Sequence, residues 1–480
     1  MIHIAKNKRN KIKISFVDEP AASSVTGSLI YIESENHKIL VDAGLHQSNS
    51  KYEDFLINNR KFKAFKPKDI DYIFITHNHS DHFCLLPKLY KLGCTAKIVV
   101  SEKSSNIMNR MLEDSAFILE RDIVLINNQQ NKNYEPLYTI EDVKTTMNYV
   151  NECEINKRIT IDEKLSFELI PNGHLFGSVQ ILLYIRENNI EKTILVTGDI
   201  GNYKIHNYYV NKFEPVKYAD VVIGESTYGD RPDIKTGRKE RNNDVEKLFS
   251  IITTQVCELK GQLVIPTFAN HRLQFLTTMI YLVMKDTDFP YKVYVDTPLG
   301  IDLFKKYLDV LEDEELELLE KVMSWENLVF VKSADESKAL VKNNEPCIIL
   351  STSGMCQNGR IRHHLKKAIP NSNATVLFVG FSTPGSLANL LRRKDTKTIM
   401  IDQKQYVCRC ATYSLKSLSG HAPFELLLDY YSSVNTPKIV LHHGSEKAKL
   451  TLKKDLEKEL ERKCKSTRVI ASNTSLRLFI

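Results

Sequence analysis

Short apolar runs separated by polar segments mark the first hundred residues of the chain, and their lengths match β-strands. Gly27 and Asn36 supply turn residues between the first runs, which predicts paired strands. The predicted strands are residues 13–17, 28–32, 38–42, 71–75 and 97–100. Residues 52–65 and 83–92 have the character of helices, whereas residues 101–165 are polar and irregular, with helical stretches of undefined ends.

Beyond residue 240 the pattern becomes an alternation of apolar strands and helical segments, which is typical of a parallel-sheet α/β domain. Its predicted strands are residues 262–266, 291–296, 327–331, 347–350 and 375–379. Pro, Gly, Ser and Thr cluster where these strands end, and ligands of open α/β sheets bind at that edge. Further strands are predicted at residues 397–401 and 407–415, followed by a β-α-β unit at residues 437–441, 445–460 and 466–471.

The composition is that of an ordinary globular chain. Its 480 residues are 42% hydrophobic and 26% charged, which predicts about two to four domains. The net charge of +7 favours a polyanionic partner only weakly, because Lys and Arg are scattered. Nine cysteines without a framework spacing, no apolar signal core at the start and no membrane-spanning run predict a cytoplasmic protein without membrane contact.

One segment between the predicted strand 71–75 and the helix 83–92 concentrates candidate metal ligands. It has the sequence Thr76-His77-Asn78-His79-Ser80-Asp81-His82. In an extended segment the first two histidines point to the same side, while the last two ligand candidates begin the helix. Imidazole and carboxylate are the usual non-thiolate ligands of zinc. Only 14 residues are His, so a polar turn with this pattern is expected by chance in roughly one chain in a thousand.

Further candidate ligands lie at strand ends and in glycine-containing loops. Asp199 ends an apolar run in a Gly-Asp pair and is well placed to bridge two metals, and Glu225 ends the next such run. His174 follows Gly173, so its loop brings the imidazole close to a metal, although by itself it would be an ordinary loop histidine. Asp42 either hydrogen-bonds the next loop or orients a metal-binding histidine from outside the ligand shell.

Together these residues resemble the motifs of the metallo-β-lactamase superfamily, and later segments resemble its β-CASP nuclease branch. Those segments are residues 224–229 (motif A), 266–274, 353–360, 417–421 (motif C) and 443–444. The closest resemblance is to the nuclease subunit of the cleavage and polyadenylation specificity factor and its prokaryotic relatives. It implies an α/β fold, an αββα sandwich interrupted by a Rossmann-like parallel-sheet β-CASP domain. The expected boundaries are 1–229 and 389–480 for the sandwich and 230–388 for the insert.

The resemblance also implies roles for individual residues. The metal ligands of two Zn²⁺ ions would be His77, His79 and His174 for one, Asp81, His82 and His421 for the other, with Asp199 bridging. Catalytic support would come from Asp42, Glu225 and His443, the last lying behind His421. Substrate contacts would come from Arg272, Ser353, Gly354, Arg360, Ser382 and Arg392.

Two positions depart from the family pattern. Leu390 stands where motif B often has a histidine, so the general acid is unassigned, and Arg392 or a metal-bound water is an alternative for its charge role. His271 stands where the family has the glycine of a Gly-Arg pair, which affects substrate contacts more than zinc binding.

The expected function is zinc-dependent hydrolysis of phosphodiester bonds in single-stranded RNA, with endonuclease action favoured over 5′-exonuclease action. A hydroxide activated by both zinc ions would attack the phosphate. Alternatives are a DNA-acting β-CASP nuclease, a catalytically weak scaffold of an RNA-processing complex, and a small-molecule hydrolase, which would lack the insert and motifs A and C. The resemblance neither requires nor excludes that the chain forms a homodimer.

Overall fold

The computed structural model describes residues 12–17, 25–48, 50–232, 237–380, 382 and 385–480. The strands are β1 (Lys13–Phe16), β2 (Ile30–Glu33), β3 (Lys38–Val41), β4 (Tyr72–Phe74), β5 (Lys97–Ser101), β6 (Val150–Cys153), β7 (Ile159–Thr160), β8 (Leu165–Pro171), β9 (Val179–Glu187), β10 (Ile190–Val196), β11 (Val221–Gly224), β12 (Gln262–Pro266), β13 (Lys292–Val295), β14 (Leu328–Phe330), β15 (Cys347–Ser351), β16 (Ala374–Phe378), β17 (Thr398–Ile401), β18 (Lys404–Val407), β19 (Ala411–Ser414), β20 (Lys438–Leu441), β21 (Arg468–Ala471) and β22 (Arg477–Phe479).

The helices are α1 (Lys51–Arg60), α2 (Ser80–Phe83), α3 (Leu86–Lys91), α4 (Glu102–Gln130), α5 (Ile140–Met147), α6 (Arg238–Ile252), α7 (Arg272–Met284), α8 (Pro298–Leu308), α9 (Asp313–Met323), α10 (Ala334–Lys342), α11 (Ile361–Ala368), α12 (Leu387–Leu391), α13 (Phe424–Ser433) and α14 (Glu446–Arg462). They belong to two compact units. The first unit takes its described residues from 1–201, 211–234 and 421–480, and the second from 202–210 and 235–420.

The first unit is built on two sheets with a shared apolar core. Within the described residues each sheet has seven strands, in the orders β22-β1-β2-β3-β4-β5-β6 and β21-β20-β11-β10-β9-β8-β7. Side chains from both sheets fill the core, as Phe74 and Phe167 do with ring centroids 5.0 Å apart. A second core packs the other face of the first sheet against α1, α3 and α4, and α14 contacts α13 and β21 of the other sheet. These layers confirm the predicted αββα sandwich.

The second unit contains a parallel sheet, as the alternating pattern predicted. Its strand order within the described residues is β14-β13-β15-β12-β16-β19, and every neighbouring pair is parallel. Apolar side chains of α11 and α12, such as Leu365 and Leu391, pack against Val376 of β16. The predicted α/β fold class is therefore confirmed for both units.

Three elements differ from the sequence expectation. Residues 101–165 contain α4, a 29-residue helix that Ser101 caps by accepting a hydrogen bond from the Ser104 backbone N–H. The single helix predicted at residues 83–92 is two short ones, and Pro87 lies in the first turn of the second. The strand predicted at 407–415 is also divided, because β18 forms a hairpin with β17 while β19 joins the parallel sheet.

The second unit extends beyond residue 388 because the pairing of β19 with β16 carries residues as far as 420 into it. The domain boundaries expected from the sequence therefore stay a prediction about the family's domain division. Within the described part of the chain, no helix combines the length and apolar character that crossing a bilayer requires.

Candidate metal centre

Strand ends of both sheets of the first unit supply the candidate ligands. Asp42 follows β3, and His77 and His79 follow β4, its parallel neighbour. On the other sheet Asp199, Glu225 and His443 follow β10, β11 and β20, which are parallel neighbours. Parallel neighbours end at the same edge of a sheet, so this topology gathers residues that are distant in sequence.

The first ligand cluster consists of His77, His79, His174 and Asp199, whose donor atoms all lie within 4.8 Å of one another. Nδ1 of His79 lies 3.2 Å from Nε2 of His77 and 3.2 Å from Nε2 of His174. Oδ2 of Asp199 lies 3.4 Å and 3.6 Å from the same two Nε2 atoms.

The second ligand cluster consists of Asp81, His82 and His443. Nε2 of His443 lies 3.2 Å from Nε2 of His82 and 3.4 Å from Oδ2 of Asp81. Oδ1 of Asp199 lies 3.0 Å from Nδ1 of His443 and 3.5 Å from Nε2 of His82. The two carboxylate oxygens of Asp199 thus face different clusters, which is the arrangement of a bridging ligand.

The spacing of these atoms fits a metal ion. Ligand atoms about 2.0–2.2 Å from a tetrahedral zinc ion lie about 3.3–3.6 Å from each other. Four of the six separations in the first cluster are 3.2, 3.2, 3.4 and 3.6 Å. Hydrogen bonds alone do not explain this convergence, because Nδ1 of His79 faces two imidazole nitrogens at the same distance.

Asp42 acts on the second cluster through His82. Nδ1 of His82 donates to Oδ2 of Asp42 at 2.7 Å, which leaves Nε2 of the same ring facing the ligand cluster. The carboxylate is itself held, because Oδ1 accepts hydrogen bonds from the Thr76 backbone N–H at 2.9 Å and its hydroxyl at 3.0 Å. Of the two roles that the sequence left open for Asp42, the contact with His82 corresponds to the orientation of a metal-binding histidine.

His421 does not occupy the position that the sequence interpretation gave it. Its Nδ1 lies 3.4 Å from Oε1 of Glu225 and 3.9 Å from Oδ2 of Asp199. The ligand cluster with Asp81 and His82 contains His443, whereas the sequence interpretation expected His421 there with His443 behind it. His443 lies two residues after the end of β20, and the register of β20 with β11 brings it to the edge where the acids lie.

Glu225 is fixed firmly enough to hold a partner in place. Its Oε1 accepts a hydrogen bond from the Ile200 backbone N–H at 2.7 Å, and its Oε2 accepts one from Thr227 at 3.1 Å. The side chain is buried, whereas that of His421 is 17% exposed. His421 is therefore a histidine oriented by a carboxylate at the rim of the centre.

The histidines differ in their proton affinity. Burial and the neighbouring His77 lower the pKa of His79 to about 3, and burial also lowers the pKa of His77 and His174. Burial opposes charge at His82 too, but Asp199 and Asp42 outweigh it and raise its pKa. Asp199 likewise raises the pKa of His443 well above its ordinary value despite burial.

The pKa of His421 is also raised. Burial lowers it, but the carboxylates of Glu225 and Asp199 outweigh that cost and favour the protonated ring.

The six residues expected to contact substrate all lie in the second unit. Nη1 of Arg360 donates to Oδ1 of Asp296 at 2.7 Å, and Nη1 of Arg392 donates to the Gly380 carbonyl at 2.7 Å and to Oγ of Ser382 at 3.1 Å. Their roles in substrate binding stay predictions.

Arg272 is buried, whereas Ser353 and Gly354 are partly buried and contact residues of their own unit. Arg272 begins α7, and Oγ of Ser353 accepts from the Gln357 backbone N–H at 3.2 Å. A Cβ on Gly354 would lie 2.9 Å from the Phe268 ring, so a larger residue there would require that ring to move.

Three family models match the chain in succession. The metallo-beta-lactamase superfamily model matches residues 25–206, the Beta-Casp domain model residues 273–391, and the Zn-dependent metallo-hydrolase RNA specificity domain model residues 406–467. Together with the sandwich and the histidine-carboxylate centre, they define a metal-dependent hydrolase. The chain belongs to the β-CASP branch of the metallo-β-lactamase superfamily.

Individual relatives cover most of the chain. Ribonuclease TTHA0252 of Thermus thermophilus is 27% identical over 442 residues, which are 90% of this chain and 94% of that protein. Probable RNase MJ4 of Methanocaldococcus jannaschii is 28% identical over 436 residues, 89% and 92% of the two chains. Transcription termination factor FttA of the same organism is 25% identical over 454 residues, 91% of this chain and 67% of that protein.

A solved structure shares the fold. The crystal structure of a protein of unknown function from Enterococcus faecalis V583 matches with a TM-score of 0.55 at 15% identity, covering 98% of this chain and 100% of that one.

Proposed function

We propose that the protein is a ribonuclease that uses two zinc ions to cut single-stranded RNA internally. The observation that carries the proposal is Asp199, whose Oδ2 faces His77 and His174 while its Oδ1 faces His82 and His443. Such a carboxylate joins two metal positions into one centre. The relatives named ribonucleases, which align along about nine tenths of the chain, support RNA as the substrate.

The two ligand clusters divide the metal positions. We assign His77, His79 and His174 to one cation and Asp81, His82 and His443 to the other, with Asp199 shared. Two divalent cations held there would lower the pKa of a water molecule and neutralise charge on the phosphate oxygens.

Protein groups around the ligands complete the site. Asp42 holds the tautomer of His82 by accepting from its Nδ1, so that Nε2 carries the lone pair. Thr76 and the surrounding backbone fix Asp42 in turn, and the burial of these groups keeps bulk water from competing for them.

His421 is the candidate proton donor to the leaving oxygen. Glu225 faces its Nδ1, and the raised pKa keeps the ring protonated closer to neutral pH. Nε2 lies on the side of the ring opposite Glu225, and the proton on Nε2 is the one that would be donated. The sequence left the general acid unassigned, because Leu390 stands where motif B often has a histidine. His421, in the loop between β19 and α13, would take that role instead.

The test is cleavage of end-labelled single-stranded RNA and DNA of equal length by zinc-loaded protein. Internal cuts in RNA by the natural chain, lost in Asp199→Ala, are expected. Cleavage of DNA alone would replace the proposal with the DNA-acting alternative, and absence of cleavage at two bound zinc ions would favour the scaffold.

A cytoplasmic location is part of the proposal, and a homodimer stays a prediction. All nine cysteines lie in the described part of the chain and none forms a disulfide, which fits a reducing compartment.

A further inference from the structure

A buried carboxylate organises the end of the second unit's sheet where three elements meet. Asp296 follows β13 and is fully buried. Its Oδ2 accepts hydrogen bonds from Nε2 of His364 at 2.6 Å and from Oγ of Ser337 at 2.7 Å. Its Oδ1 accepts from Nη1 of Arg360 at 2.7 Å. These donors hold the pKa of Asp296 below its usual range although burial acts to raise it.

This network uses only one side of the Arg360 guanidinium. Nη1 donates to Asp296 and to the Val331 carbonyl at 3.2 Å, and every partner of Arg360 recorded in the described part of the chain binds through this nitrogen. The arginine side chain keeps 21% of its surface exposed, whereas Asp296 keeps none. Asp296 and the Val331 carbonyl thus hold Nη1, and the described residues provide no recorded partner for Nε or Nη2.

The position of this guanidinium suits an anion. Arg360 lies in the loop between β15 and α11, at the carboxyl edge of the parallel strands, where open α/β sheets bind their ligands. An arginine held by a carboxylate on one side loses little side-chain freedom when its remaining N–H groups bind a phosphate. Tying α10 and α11 to the sheet does not by itself require a partly exposed arginine as a partner of Asp296.

We propose that Asp296 is a positioning residue that presents Arg360 to a nonbridging oxygen of the RNA backbone. Ser337 and His364 keep the carboxylate in place, and the contact is to phosphate, so it is independent of base sequence. This inference rests on the proposed ribonuclease function.

The experiment is a double-mutant cycle on the full chain, measuring binding of single-stranded RNA in EDTA, where cleavage does not occur. Arg360→Gln is expected to raise the Kd about tenfold, equally for different sequences, and to reduce the salt slope of binding by about 0.7. Asp296→Asn is expected to raise the Kd about fivefold alone, but by less than about 1.5-fold in the Arg360→Gln background. With zinc-loaded protein, KM should rise in the single variants while kcat stays within about twofold.

A matched control is Asp402→Asn. Asp402 pairs with Arg362 and Lys366 at the neighbouring surface, so the same charge is removed without touching Arg360. It is expected to change the Kd less than about twofold. Equal effects of Asp296→Asn in both backgrounds would show a purely structural role and overturn the inference.

If Asp296→Asn does not fold, Arg360→Lys tests the inference. Arg360→Lys keeps the charge but cannot reach the carboxylate and a phosphate together, so it is expected to bind RNA as weakly as Arg360→Gln. Wild-type affinity in Arg360→Lys would overturn the inference. A natural chain that neither binds nor cuts RNA would refute the proposed function and the inference with it, whereas RNA cleavage with an additive cycle refutes the inference alone.

Discussion

The two ligand clusters of the metal centre share Asp199 but differ in the charge around their imidazoles. In the first cluster burial dominates and lowers the pKa of all three histidines. In the second cluster carboxylates dominate and raise the pKa of both histidines. Neutral imidazole is the form that binds a cation. The first cluster therefore offers neutral imidazoles over a wider pH range, whereas protons compete more strongly with a cation for the histidines of the second.

Removing the shared ligand should erase both clusters together. Asp199→Ala is expected to lower cleavage by at least about a thousandfold and to reduce bound zinc at both positions, since its two oxygens serve both. Metal analysis and a cleavage assay measure this. Asp286→Ala, a change at an exposed acid, is the control. Retention of full activity with two bound metals would sink the bridging assignment.

Substitution of His443 should affect metal binding, whereas substitution of His421 should affect the chemical step. His443→Ala is expected to lower the bound zinc from two to about one per chain, because it removes a donor from the second cluster. His421→Ala is expected to keep both zinc ions and to lower kcat by about 10²–10⁴-fold. Metal content measured beside kcat distinguishes them. The reverse pattern would restore His421 as the ligand.

Asp42, which orients His82, should affect zinc affinity at the second cluster only. Asp42→Asn is expected to weaken zinc at the second cluster about 10–100-fold and to leave the first unchanged, because only His82 loses its Nδ1 acceptor. Competition with a metal-binding dye measures both affinities. Asp71→Asn removes an acid at the other end of β4, where it accepts from the Lys38 backbone, and serves as the control. Equal weakening of both sites would contradict the comparison.

Acid should empty the second cluster before the first. Protons compete with the cation at His82 and His443 from a higher pH, because their pKa values are raised, while the first-cluster histidines stay neutral. On lowering the pH from about 8 to about 5.5, zinc content is expected to fall from two to about one. Equilibrium dialysis at each pH follows it. Simultaneous loss of both ions would show that the clusters do not differ.

The smallest effect concerns the carboxylate beside His421. Glu225→Gln removes the charge that raises the pKa of His421, so the protonated ring is lost at a lower pH. The descending limb of the pH–kcat profile should move toward acid, with zinc content unchanged. An unmoved limb would exclude His421 as the group that titrates there.

Much of the fold was predictable because buried strands can be recognised in the sequence as short apolar runs. β12 was predicted at its observed bounds, and the parallel sheet followed from the alternation. α4 was missed because its buried positions, such as Ile107, Leu112 and Ala116, are spread among Asn, Gln and charged residues over eight turns. Its stability comes from packing on the first core, which local composition does not reveal.

The candidate site was predictable where its ligands are local. His77, His79 and His82 lie in one loop and helix start, so their convergence with one another needed no tertiary information. The choice between His421 and His443 depended on strand order. The signal was present, because His443 lies two residues after the apolar run 437–441, much as Asp199 and Glu225 lie just after theirs, whereas His421 follows a loop. Only the pairing of β20 with β11 shows that these ends meet.

The ligands of the centre span the chain from residue 77 to residue 443. During translation the first cluster is encoded by the time the ribosome has passed Asp199, but the second waits until nearly all of the polypeptide has emerged. A product of interrupted synthesis that ends before β20 keeps six of the seven assigned ligands but lacks His443, so its second cluster is incomplete.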